Sequence, residues 1–113
     1  MTISQSNYRT MRLVGIGHYS RSHREIAREA RRAFADRDPW IVAAGIHNVG
    51  HLARRFGIID WPLVRAAESA ASRNGHQHMV RAALVDMHED VAAHMPFRKF
   101  LADLAEERAF EAD

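Results

Sequence analysis

Residues 38–57 decide the fold: Asp38-Pro39-Trp40-Ile41-Val42-Ala43-Ala44-Gly45-Ile46-His47-Asn48-Val49-Gly50-His51-Leu52-Ala53-Arg54-Arg55-Phe56-Gly57. The stretch carries its own punctuation. Asp38 is an N-cap residue, and Pro39 stands at the first helical position, where a missing N–H costs nothing. Gly57, following Phe56, supplies a left-handed terminator. At about 100° per residue, Val42, Ile46, Val49, Ala53 and Phe56 fall within about 40° of one line, the apolar stripe of a helix that faces a core. His47 lies about 140° from that stripe, with His51 one turn on and Arg54 near the same azimuth. The spacing therefore predicts an outward face bearing two imidazoles and a guanidinium. Ala43, one turn before His47, and Gly50, three residues after it, leave space around the His47 ring. A mid-helix glycine costs about 0.8–1 kcal/mol against alanine, so Gly50 marks either the close approach of something to this face or simple tolerance there. The plainer reading of the same residues is a solvated polar face with an incidental histidine pair.

Outward from this segment, other helices are punctuated in the same way. Ser22 and Glu25 form a capping-box pattern, and Ile26, Ala30, Ala33 and Phe34 recur at helical spacing among arginines. Asp36-Arg37-Asp38 closes that helix. Tyr8 to Val14 reads as a short helix ended by the Gly15-Ile16-Gly17 breaker. Asp60 caps a fourth segment opened by Trp61-Pro62 and closed by Asn74-Gly75. A fifth, from about His76 to His94, carries the stripe Val80, Leu84, Met87, Val91 and Met95. Pro96 opens a sixth with Phe97, Phe100, Leu101 and Leu104, followed by an acidic tail, Glu106 to Asp113. No window alternates with period two, and alanine and arginine, both good helix formers, dominate. The expected architecture is an all-α, antiparallel four-helix bundle with one or two extra short helices, a single domain spanning 1–113.

Composition narrows the chemistry. The 113 residues are 47% apolar and 27% charged, which is a globular balance. There is no cysteine, which removes disulfide scaffolds, thiolate zinc sites and thiol nucleophiles. No apolar run approaches the roughly 18–20 residues of a membrane span, and Met1 to Tyr8 lacks the apolar heart of a signal peptide. The expectation is a cytoplasmic protein without a membrane partner. Sixteen Lys and Arg against fourteen Asp and Glu give +2, and the pI near 9.7 reflects arginine, since Lys99 is the only lysine. Such a balance suits an acidic protein partner at least as well as nucleic acid, and no helix-turn-helix spacing is apparent. Eight histidines are a large number for this length. Trp40 and Trp61 open helices, where an aromatic residue staples the chain to the core or rims a docking surface.

The run from His47 to Gly57 resembles the signature of histidine phosphotransfer (HPt) domains, the phosphoryl carriers of bacterial phosphorelays. That family places an apolar residue two after its histidine, Lys-Gly at three and four, small residues near six and Gly at ten. Val49, Ala53 and Gly57 fit this frame. Asp36 to Trp40 with Ala43-Ala44 resembles the family's lead-in, and Ala67-Glu68, Asn74-Gly75 and Val80 to Val91 follow its later order. The family's Lys-Gly is replaced here by Gly50-His51. The resemblance implies His47 as phosphoryl acceptor, His51 or Arg54 supplying the phosphate-side charge, and Gly50 giving access. It implies docking of a receiver domain or hybrid histidine kinase beside Ala43 and Trp40, with Mg²⁺ supplied by the receiver and no cofactor of its own. A weak homodimer is compatible with the same rim. The chain would then be a carrier or interaction module rather than a turnover enzyme.

Three other patterns compete. Ile46-His47-Asn48-Val49-Gly50-His51 resembles the metal-binding core of HD-domain phosphohydrolases, with His23 as the upstream histidine, but Asn48 stands where that family has a ligand Asp. His47 and His51 at i, i+4 can meet one divalent metal, and His76, His78, His88 and His94 offer further nitrogens. The alternative reading is thus an HD-like or His-rich metal-binding protein, through His23, His47 and His51. Arg73-Asn74-Gly75-His76-Gln77-His78 is similar to the motif of HEPN ribonucleases, which lies within a helix, whereas Gly75 predicts a break.

Overall fold

Residues 3–95 are described by the computed structural model, and their backbone largely follows this punctuation. Helix α2 (His23–Ala33) opens on Ser22, whose hydroxyl accepts the Glu25 N–H at 3.1 Å. Helix α3 (Pro39–Phe56) opens on Asp38, whose carboxylate accepts the Trp40 N–H, and ends on Gly57 at φ 65°. Helix α4 (Trp61–Arg73) is capped by Asp60 onto the Leu63 N–H and closed by Asn74. Helix α5 (His78–Ala93) starts two residues later than expected, with no side-chain cap. The break between Arg73 and His78 separates the two halves of the HEPN-like motif onto different helices. The segment from Pro96 through Phe97, Phe100, Leu101 and Leu104 lies outside the described residues.

The first helix departs most from expectation. Helix α1 (Ile3–Tyr19) runs straight through Gly15-Ile16-Gly17 instead of stopping at Val14. Each interior glycine costs about 0.8–1 kcal/mol in propensity, and packing against α3 offsets it. A Cβ at Gly17 would lie 2.7 Å from Asn48 Cγ and 2.9 Å from His51 Cδ2, so this glycine lets the two helices cross closely. Asn48 donates its amide N–H to the Leu13 carbonyl at 3.1 Å. Arg55 donates to the carbonyls of Gly17 and Ser20, satisfying orphan acceptors at the C-terminus of α1 and placing a cation at its negative end.

Helix α3 is the centre of the molecule. It packs against all four other helices of the described residues, most extensively against α5 and α2. The stripe Val42, Ile46, Val49 and Ala53 faces the main core with Ile26, Leu63, Val80 and Met87, and Phe56 packs against it. A smaller cluster joins Leu13, Ala33, Ile41 and Ala44 between α1, α2 and α3. Small residues let neighbours close in on the other faces. A Cβ at Gly45 would lie 2.7 Å from that of Ala33, and one at Gly50 would lie 2.7 Å from Asp90 Oδ2.

Contacts give the helix directions. Trp40 meets His78, His47 meets Asp86, and Gly50 meets Asp90, so α3 and α5 run in the same sense. Leu13 with Asn48 and Ser20 with Arg55 give the same sense for α1 and α3. Ala33 with Gly45 and His23 with Phe56 give the opposite sense for α2. Around α3, neighbouring contacts link α1 to α2, α2 to α4, and α4 to α5, but none links α5 to α1 among the described residues. Among the described residues the shell around α3 is therefore a horseshoe with one open seam. No helix among the described residues is long and apolar enough to cross a membrane.

Candidate functional site

The seam between α1 and α5 bares the edge of α3 that carries Trp40 and His47, with His51 and Arg54 further along the same edge. Every residue from Ile41 to Ala53 is buried except His47. Its side chain is 41% exposed, and its Nδ1 lies 3.9 Å from Asp86 Oδ2 on α5. That separation is an ion-pair distance, beyond hydrogen-bond reach. With Asp86 on the Nδ1 side, Nε2 is the ring nitrogen farther from that carboxylate. Trp40, at the mouth of the seam, is 54% exposed and stands edge-on to the His78 ring at 6.5 Å.

His51 does not share this exposure. It is 7% exposed, with the His18 ring of α1 over it at a centroid distance of 4.4 Å. Arg54 contacts its Nδ1. A guanidinium can only donate, so this contact selects the neutral tautomer with its proton on Nε2. Burial, and then the charges of Arg54, His18, His47 and Arg55, lower its pKa from the ordinary 6.5 to about 4. Arg54 also reaches Asp90 Oδ2 at 3.3 Å.

Several expectations change accordingly. His51 and Arg54 were expected beside His47 on an open face as phosphate-side donors. Instead His51 is roofed by α1, and the Arg54 guanidinium is engaged by His51 and Asp90, about 10 Å along the helix from His47. The space beside Gly50 was expected to admit a ligand, but Asp90 fills it. Ala43, expected on a docking rim, is buried, whereas Trp40 is exposed. Asn48, placed at a ligand position by the HD-like reading, is 1% exposed and turned onto Leu13, with its Oδ1 unpartnered. His23 stands against Phe56, toward the C-terminus of α3, so the set His23, His47 and His51 is not gathered. No group of three His, Asp or Glu placed to hold a metal occurs among the described residues.

Asp86, Asp90 and His18 were missed as site residues. A signal existed for the first two: Asp86 and Asp90 repeat the i, i+4 spacing of His47 and His51 on a helix with its own apolar stripe. For His18 there was none, because the glycine pair read as the end of its helix. Comparison with protein-family models, with curated proteins and with solved structures finds no match for this chain.

Proposed function

We propose that this chain is an HPt-like phosphorelay module that accepts a phosphoryl group at His47 and docks a receiver domain or hybrid histidine kinase in the seam between α1 and α5. The observation that supports this most strongly is the selective exposure of His47 within thirteen otherwise buried positions of the central helix. A histidine needed only for packing gains nothing from an opening held around it. This reading takes α2 to α5 as an antiparallel four-helix bundle with α1 added. The close same-direction contact of α3 with α5 is a departure from its simplest form. The reading also places the protein in the cytoplasm.

In the transfer, Nε2 of neutral His47 attacks the phosphorus of a receiver's aspartyl phosphate. The P–N bond forms as the P–O bond to the aspartate breaks, and the carboxylate leaves with the electron pair. The ring keeps its Nδ1 proton and becomes cationic, and Asp86 at 3.9 Å stabilises that charge. With His51 and Arg54 engaged elsewhere, the charge that holds the phosphoryl oxygens would come from the partner, whose Mg²⁺ would supply it. Trp40 is the apolar anchor of the docking surface on this side. The metal-binding alternative has less support, because its histidines are separated and Asn48 is used structurally.

The test is labelling by a phosphorylated receiver or hybrid kinase. The expected product is acid-labile, alkali-stable and lost in His47→Gln, with partner binding retained. Label that persists in His47→Gln, or none under any donor, defeats the carrier. Partner binding that survives without any label leaves a docking module alone.

A further inference from the structure

A second feature lies on another side of the molecule and is independent of His47. A cleft of about 140 Å³ opens between α1 and α2. Its floor is apolar, formed by buried Leu13, Ala33 and Ile41. Its rim is ionic. The carboxylates of Glu29 and Asp36 are only 12% and 19% exposed, whereas Arg9, Arg12 and Arg32 stand out at 47%, 57% and 74%. Three cations against two anions leave the rim with excess positive charge.

The pairing among them is uneven. Arg9 hydrogen-bonds Asp36 directly. Arg12 and Arg32 share Glu29 at 3.8 and 3.5 Å, beyond normal N–H···O reach. Each guanidinium carries five N–H donors, so both keep donors for a further acceptor. Because Glu29 is far less exposed than either arginine, an arriving anion meets the cations first.

We propose that this cleft binds a small aliphatic carboxylate, its head bridging Arg12 and Arg32 and its apolar body resting on Leu13, Ala33 and Ile41. The fork of a guanidinium matches a carboxylate in two parallel hydrogen bonds. An apolar cavity of about 150 Å³ holds a benzene molecule, so this volume is enough for an acid of about five carbons. Such a ligand ties α1 to α2.

The experiment titrates the full chain with isovalerate, acetate and inorganic phosphate, following the methyl resonances of Leu13 and Ile41. Isovalerate is expected to shift them saturably and to bind at least about tenfold more tightly than acetate, since its extra carbons are buried. Arg12→Ala with Arg32→Ala abolishes the shifts, and the lysine pair, Arg12→Lys with Arg32→Lys, weakens binding about tenfold by losing the fork. Both arginines are largely exposed, and the remaining methyl spectrum verifies that each variant is folded. The proposal is overturned by an absence of saturable shifts, by unchanged binding in the alanine pair, or by acetate or phosphate binding as well as isovalerate.

Discussion

His51 shows how a side chain's surroundings override its place on a helical wheel. Beneath His18 and against Arg54 it stays neutral, and its pKa of about 4 makes a stability prediction. The unfolded chain protonates this histidine near 6.5 while the folded chain resists until about 4, so the unfolded state binds more protons between those values. Its contribution is fully present above pH 6.5 and is lost as pH falls toward 4. Urea melts across this window should fall steeply for the native chain and less steeply for His51→Gln. The glycines two residues apart in α1 provide a second test. Gly15→Ala meets nothing within 4 Å and should stabilise by roughly 0.5–1 kcal/mol through helix propensity. Gly17→Ala drives a methyl into Asn48 and His51 and should destabilise by about 1–3 kcal/mol. Equal effects of the two substitutions in denaturant melts would argue against the crossing.

At the scale of elements, the caps were legible because each is a short-range event. Ser22, Asp38, Asp60 and Gly57 act within four residues of themselves, and all four stand where their side chains or backbone freedom predict. The end of α1 was not legible, since the residues that carry it past its glycines are Asn48 and Arg55 of another helix. Close helix packing on α3 gives a ranking. At Gly45 the neighbours are the Ala33 methyl and the Ala30 carbonyl, which cannot turn aside, whereas at Gly50 the nearest atom is the end of the Asp90 side chain. Gly45→Ala should therefore cost more than Gly50→Ala, by about 1 kcal/mol or more. Thermal or denaturant unfolding of the two variants checks the order.

For the whole molecule, the central position of α3 has a dynamic consequence. Its backbone amides, enclosed by four helices, should exchange with solvent only through global unfolding, whereas α1, which has fewer neighbours, should open locally. Native-state hydrogen exchange that found α3 less protected than α1 would contradict this packing. Truncating Ile46, which is fully buried in the main core, should cost about 2–5 kcal/mol and lower the protection of α3 and α5 together.

The amino-acid order alone determined the helical class, most helix boundaries and the core stripe of α3, because capping and amphipathic periodicity depend on residues a few places apart. It also singled out His47. Which α3 side chains meet water was decided by tertiary structure. The small residues around His47 predict close approach but do not say whether a ligand or another helix makes it. Only the arrival of α1 over His51 and of α5 over Gly50 enclosed the one histidine and left the other open, and both contacts join residues more than thirty positions apart.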